Sequence, residues 1–464
     1  MSSPRFRIPR FSLVVLLSLA MSFPLLADSH VRIVRLSYMD GSVLVSRSDS
    51  KDYQKAMVNL PIVEGMKLKT EDDGRAEIEF EDGSTLRIVP GSAVEFTTLS
   101  LRDSGIKASD INVSAGTVYV TFAGSKDAEF SLSVGGGKVS LSQAAHLRID
   151  YGNPLSSIAL FKGGAQVDGP SGTVELKKNQ TLTFEISGSA QYQLAKNIHR
   201  EPWDEWDDQQ NEYHTRYAMK SNNNYSPYAY GMTDLSYYGS FFDYPSYGML
   251  WQPYFVGVGW DPFMDGAWTY FPGWGFGWVS AYPWGWTPYH SGSWVFIPGR
   301  GWAWQPGGVW QPVYTQPVVV NAPKTFVPPR PPVSGTRTLV VNRGPASVFS
   351  GEKLVVRNNS AGLGVPRGDI RNLGKMSQKV ETRGSVSQRI STPSVAMTGT
   401  GTGMGRGPAG TNAASRGSAA HSGAGGSGLS SHSAPSMPSS HSAPAPSMPS
   451  SHAGGAPAGG PAHR

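Results

Sequence analysis

Residues 75–96 read RAEIEFEDGSTLRIVPGSAVEF, and the order of side chains in this stretch decides the fold. Ala76, Ile78 and Phe80 alternate with Arg75, Glu77, Glu79 and Glu81, so one face of a strand is apolar and the other charged. Asp82-Gly83 supplies a turn, and Leu86 and Ile88 resume the apolar face, which makes the stretch a half-buried hairpin. The same grammar recurs outward, at Val118, Val120 and Phe122, at Phe130, Leu132 and Val134, and at Leu182, Phe184 and Ile186. Asp40-Gly41, Asp73-Gly74 and Gly135-Gly136-Gly137 punctuate it. Many short strands at regular spacing predict an all-β sandwich, barrel or β-solenoid-like stack over residues 28–198.

The segment VEGMKLKTEDDGRAEIEFEDGSTLRIVPGSAVEF, followed by INVSAGTVYVTF and FSLSVGGGKVSLSQAAHLRID, resembles the FecR domain over roughly Val31 to Val167. Gly65, Thr70, Asp82-Gly83-Ser84 and Ser92 carry the most specific part of the likeness. The resemblance implies an extracytoplasmic bacterial β domain, whose founding type relays an outer-membrane transport signal to a cytoplasmic sigma factor. Only ten residues precede the first apolar run here, so the expectation is the extracytoplasmic module without that sigma-regulating output.

Other motifs in this region read as structure. GGGK at Gly135–Lys138 lacks the spacing of a phosphate loop and has no helix behind it, so it reads as a hairpin turn. Glu71, Asp72 and Asp73 lack calcium-ligand spacing and read as a solvated acidic turn. His146 sits in an apolar alternation and reads as a packed residue.

All thirteen tryptophans fall between Trp203 and Trp310. The block, residues 199–312, opens with PWDEWDDQQNEYHTRYAMK, which predicts one short helix. Its first-turn acids, Asp204, Glu205, Asp207 and Asp208, suit the dipole of a capped surface helix, and a metal site with His199 and His214 is the lesser reading. Then WDPFMDGAWTYFPGWGFGW (Trp260–Trp278) is echoed by WTPYHSGSWVFIPGRGWAW (Trp286–Trp304). Pro and Gly at matched places exclude a long helix and fit two copies of a Trp-Pro-Gly hairpin unit. The rings have two accounts. They form the core of a domain poor in aliphatics, the preferred account, or Trp260, Trp268, Trp278, Trp286, Tyr289, Trp294 and Trp302 make an exposed recognition surface for sugar faces or Pro-rich peptide. His290, within the phrase, reads as a structural hydrogen-bonder.

This block resembles an uncharacterised Trp/Tyr/Pro-rich domain found behind FecR domains in exported bacterial proteins. Trp251, Trp260, Pro262, Gly266, Trp268, Trp278, Pro283, Trp284, Gly285, Trp286, Pro288, Tyr289, His290, Gly292 and Trp294 fit its pattern. Ser291 and Ser293 stand where a Tyr and an Arg are usual, and the resemblance implies no activity.

The ends set the surroundings. Arg5, Arg7 and Arg10 precede the apolar run Phe11–Ala27, the order of a secretory signal over residues 1–27. Membrane contact is expected only through this segment if it stays uncleaved. Cysteine is absent, which excludes disulfides and thiolate chemistry. After Gln311 there are 15 basic residues against Glu352, Asp369 and Glu381, so a net charge of +6 hides an acidic front and a basic rear. Residues 313–464 read as a Pro-rich linker and a disordered Gly/Ser/Ala/Pro-rich tail, with edge-strand patches at Leu339-Val340-Val341 and Leu354-Val355-Val356. His421, His432, His441, His452 and His463 recur in the tail without metal-site spacing.

The whole is an all-β, two-module chain: a FecR-like domain, then a small Trp/Pro/Gly-rich β-repeat domain. No pattern calls for catalysis, a cofactor, a metal or nucleic acid. The function expected is non-enzymatic binding or scaffolding in the cell envelope, periplasmic, cell-surface or secreted, with an envelope protein or glycan as partner. A glycan or peptidoglycan binder and a sigma-linked FecR-type regulator are the alternatives.

Overall fold

The computed structural model describes residues 32–169, 172–185, 192–219, 225–316, 318–333, 338–342, 348–350 and 353–390. All of these belong to one of the two units into which the chain divides, Met1–Met397. The signal segment and the histidines of the tail lie outside the described residues.

Among the described residues, those between 34 and 195 form a 17-stranded sheet folded on itself into two layers. The strand Lys107–Phe122 belongs to both layers. Its first half pairs with Ala93–Leu101 and, in parallel, with Ala128–Val134; its second half pairs with Thr85–Ile88 and Ala145–Tyr151. Gly116 lies between the halves at φ 72°, and a Cβ there would meet the Ser92 hydroxyl at 2.4 Å, so only glycine fits the crossing. The apolar alternation read from the sequence fills the space between the layers: Ile78, Leu86, Ile88, Val118, Val120, Leu132 and Leu182 are all buried. Framework residues fasten its turns. The Thr70 hydroxyl donates to the Val89 carbonyl and accepts from the Ser92 amide, the Ser92 hydroxyl donates to the Thr117 carbonyl, and the Asp82 carboxylate accepts from the Ser84 amide. Gly135-Gly136 is the hairpin turn expected of GGGK, with Val134 opposite Gly137.

The hairpin of residues 75–88 departs from its half-buried reading. Glu77, Glu79 and Glu81, on the face opposite the apolar core, are 0, 2 and 7 % exposed. Helix α1 (Asp204–Tyr217) and helix α2 (Met232–Tyr238) bring partners for that face. Period two identifies the residues that turn away from the core, but it cannot say whether water or another element receives them.

Beyond α2 the aromatic block consists of three hairpins. The two anticipated ones pair Asp265–Phe271 with Gly275–Ser280 and Ser293–Ile297 with Gly301–Gln305. A third, Gly239–Tyr244 with Gly248–Pro253, precedes them. Aligned, they read GSFFDYPSYGMLW (239–251), GAWTYFPGWGFGW (266–278) and GSWVFIPGRGWAW (292–304). The tip positions Ser246 and Gly248, Gly273 and Gly275, and Gly299 and Gly301 all have positive φ. Phe241 faces Trp251, Trp268 faces Trp278, and Trp294 faces Trp304 across each ladder. The leading glycine makes room for the far ring: a Cβ on Gly239, Gly266 or Gly292 would meet the indole of Trp251, Trp278 or Trp304 at 2.4, 2.4 and 2.5 Å. The first and third hairpins share a five-stranded sheet, and the second carries its own edge strand, Leu339–Asn342.

The expectation of linker and disordered tail from residue 313 is corrected over residues 353–390. Lys353–Arg357 pairs with Ser385–Arg389, helix α3 (Leu373–Arg383) lies between them in the chain, and Leu354, Val356, Val365, Ile370, Met376 and Val380 join the aromatic core. These apolar residues are too scattered among Gly, Asn and Lys to signal a core by themselves; the rings of the hairpins complete it.

Candidate ligand cleft and the charged junction

The seven proposed recognition rings lie in the core. Trp260, Trp268, Trp278, Trp286, Tyr289, Trp294 and Trp302 are 0–4 % exposed, so they offer no platform to a sugar or peptide. They pack mostly edge-on or tilted, as ring quadrupoles favour; Trp260 meets Trp284 at 6.2 Å and Trp294 at 5.9 Å. Polar ends are used inside: the Trp260 indole N–H donates to the Tyr282 hydroxyl, which donates to Asp265, and the Tyr289 hydroxyl donates to the Pro262 carbonyl. His290 is buried with its Nδ1 2.6 Å from the Gln311 carbonyl and its ring stacked on Trp310. Burial pushes its pKa down to about 4, so it is a neutral structural imidazole at pH 7.

The junction between the β domain and the rest of the chain is built from ions. On the outer face of the sheet, strand register sets Arg35 beside Glu79, Glu77 beside Arg87, Arg87 beside Tyr119, and Tyr119 beside Arg148. Helix α1 lays a polar stripe across this row. Asp204, Asp207, Asn211 and His214 are spaced three, four and three residues apart, which puts them on one helical face. Asp204 accepts from Arg148 at 2.7 Å and from the Tyr119 hydroxyl at 2.9 Å. Asp207 takes Arg87 at 2.6 Å and His146 at 2.6 Å. Asn211 meets Arg87 and Thr121, and His214 meets Glu77 at 3.0 Å.

Asp204 and Asp207 are therefore not the solvated first-turn acids of a surface helix, and no side chain caps α1. Among the described residues no group of three or more histidines and acids is placed to hold a metal. His146 is packed as expected, but its ring nitrogen is also bonded to Asp207. The 3-4-3 spacing of the stripe was present in the sequence; it is visible only when polar residues are counted as a packing face.

Two further segments close the network. Arg35, wholly buried, reaches Glu79 at 3.1 Å, Asp234 of α2 at 2.7 Å, Asn59 at 2.9 Å and the Pro283 carbonyl at 2.6 Å. Arg367 reaches Glu77 at 2.6 Å, Asp234 at 3.3 Å and the Ser37 carbonyl at 2.9 Å. Burial works to raise the Glu77 pKa, but the charges of His214, Arg367 and Arg87 more than offset it and hold the carboxyl well below its ordinary range. Asp207 follows the same logic, its burial outweighed by Arg87 and His146. Glu79 goes the other way: burial raises it, and Arg35 compensates only in part.

Beside this network lies a cleft of about 430 Å³. Its walls come from the strand Val34–Asp40 (Ser37 to Asp40), from Arg75, from α1 (Trp206, Gln209 and Gln210), from Tyr238 and Pro283, and from the segment 363–369. Arg75 is bonded to Asp40 at 2.7 Å and stands 5.6 Å from the Trp206 ring. Burial pushes the Tyr38 phenol up to about 12. Arg367 lies 5.4 Å from the Tyr38 ring.

Comparison with known proteins places names on the two modules. A family model described as FecR protein matches residues 66–166, and one described as a family of unknown function (DUF6600) matches residues 232–331. The chain thus carries a FecR domain followed by a domain of uncharacterised family, and α1 falls between the two matched stretches. No curated protein matches the sequence. Among solved structures, two crystal structures of a candidate anti-sigma factor from Parabacteroides distasonis, at 1.65 and 2.50 Å resolution, are similar at 13 and 12 % identity, with TM-scores of 0.25 and 0.26. The matches cover 28 and 30 % of this chain and 59 and 63 % of those structures, so the chain spans about three fifths of their length.

Proposed function

We propose that this chain is a non-enzymatic regulator of the FecR type, acting in the cell envelope, in which the aromatic module holds the FecR domain in one docked register until an envelope partner changes it. The observation that carries the reading is the position of Glu77, a residue of the FecR domain that is bonded at once to Arg87, His214 and Arg367 from three separate stretches of the chain. Buried ion pairs add little net stability over apolar packing, because desolvation consumes most of the Coulomb gain. They do penalise every misaligned docking, since any shift strands a buried charge. A junction of this kind suits a module that must sit in one place or come away, and it suits a simple scaffold less well.

The FecR match supports the regulatory class, and the basic, apolar and polar order of residues 1–28 supports export. The glycan-platform reading loses its rings to the core. In the producing bacterium, deletion of the gene is expected to shift transcripts from a confined set of promoters served by one sigma factor, and the protein is expected in the envelope fraction. An unchanged transcript profile under envelope stress, or a cytoplasmic protein, would sink the reading.

A further inference from the structure

Arginine supplies the cations of the buried junction, whereas Lys162, Lys177, Lys178 and Lys196 stand exposed at one end of the β domain. Strand register puts them there. Across one layer Arg35, Glu79, Thr85, Thr121, His146 and Lys162 are successive partners in a single transverse row. Continuing the pairing of Leu160 with Gln180 by two residues sets Lys178 across from Lys162, and the Asn179 side chain of the same turn donates to the Lys196 carbonyl. In the other layer the register that pairs Ala108 with Glu129 runs on to Gly164 and its partner Lys177. Arg32 donates to the Ala108 carbonyl, so the chain enters the domain level with the lysines.

Among the described residues none of the four lysines is in an ion pair. The acids at this end are engaged, Glu81 by Arg32, Asp127 by Lys107 and Glu129 by Arg102, and Glu175 alternates with Lys177 on one strand face. Like charges set across from each other, as Lys162 and Lys178 are, repel, and an outside anion would relieve the cost. The far end of the first strand has the opposite sign: Asp40 closes it, and Glu71, Asp72 and Asp73 form the turn bonded to Ser42 beside it. Charge is thus separated along the strand direction.

We propose that the lysine end docks on the surface of an anionic lipid bilayer, with Lys162, Lys177, Lys178 and Lys196 toward the headgroup phosphates and the acidic turn directed away. Lysine is a hydrated point charge without the fork of arginine, so a cluster of lysines suits a spread of phosphates more than one tightly held anion. The path of the chain selects the bilayer among polyanions. Only Asp28, Ser29, His30 and Val31 separate Arg32 from the apolar run Phe11–Ala27, at most about 18 Å of extended chain. With that run in a bilayer, the end of the domain held against the surface is the one that carries the lysines. The contact is additional to the N-terminal segment itself.

The test is flotation of the full chain with vesicles of phosphatidylcholine alone and of phosphatidylcholine mixed with phosphatidylglycerol. The ratio of the two affinities cancels whatever the apolar run contributes. Preference for the anionic vesicles is expected, weakening as salt is added. Changing Lys162, Lys177, Lys178 and Lys196 together to Gln is expected to lower the ratio about a hundredfold, since each lysine near such a surface contributes separately. The same change at Lys51, Lys55, Lys67 and Lys69, elsewhere on the domain, should lower it far less. Equal affinity for the two vesicles, or equal losses in the two fourfold variants, overturns the proposal; so does tighter binding to soluble polyphosphate than to the anionic vesicles, which would assign the lysines to a soluble polyanion. The four lysines are exposed, so an unchanged melting temperature verifies the fold of the variant. Vesicle binding requires no regulatory output, so its failure and that of the FecR-type reading are told apart.

Discussion

Arg367 and Glu77 are 290 residues apart in the chain, yet their side chains meet at 2.6 Å with both almost fully buried. The contact ties the segment after the aromatic hairpins to the outer face of the first domain. Removing one partner of a buried pair leaves the other charge uncompensated, which costs about 3–5 kcal/mol. Arg367→Met is expected to lower stability by about 3 kcal/mol in urea denaturation. Glu77→Gln in the same chain should recover part of that loss. A strictly additive double mutant would show that the two groups do not interact.

Acid is expected to loosen the protein in two stages. His290 has a folded pKa of about 4, below its ordinary 6.5, so its contribution is present above pH 6.5 and lost as pH falls toward 4. That stage amounts to about 3 kcal/mol at about 1.4 kcal/mol per pH unit. Glu77 and Asp207 are depressed below their ordinary values of 4.5 and 3.8, so the stability they lend is present above those values and is lost as pH falls below them. Stability measured from pH 7 to 3 should show both stages, and His290→Gln should flatten only the first.

The leading glycine of each hairpin is expected to be intolerant of alanine. Gly266→Ala would place a methyl 2.4 Å from the Trp278 ring and 2.7 Å from the Val279 carbonyl, and the latter is backbone that cannot step aside. Overpacking of this kind costs about 1–3 kcal/mol. Gly239→Ala and Gly292→Ala should behave alike in thermal melts if the three hairpins are equivalent units, whereas Gly136→Ala, with open space around it, should act only through its positive φ.

Tryptophan oxidation followed by peptide mass spectrometry should rank the rings by burial. Trp203, Trp274 and Trp310, which are only part-buried, are expected to react first, and Trp251, Trp260, Trp284, Trp286, Trp294 and Trp304 last. Fast reaction of Trp260 or Trp294 in the folded protein would restore the recognition-platform account.

Much of this architecture was legible in the sequence because its signals are local. Ile78 and Leu86 announce a strand pair through alternation around Asp82-Gly83, and Trp268 and Trp294 announce repeated hairpins through their spacing from Pro and Gly. The copy beginning at Gly239 was legible too: its Pro lies six residues on, its second Gly nine and its Trp twelve, as in the other two. Its signal is weaker because Phe241 stands where the other two copies have their first tryptophan.

The two modules, their β character and their order along the chain follow from sequence alone, since alternation and turn chemistry act between near neighbours. The fate of the charged face, the burial of the rings and the existence of the cleft were decided by tertiary structure. Each depends on surfaces contributed from far along the chain. Glu77 looks like a solvent residue until α1 and Arg367 cover it, and a tryptophan is equally suited to a core or a platform until its neighbours are in place.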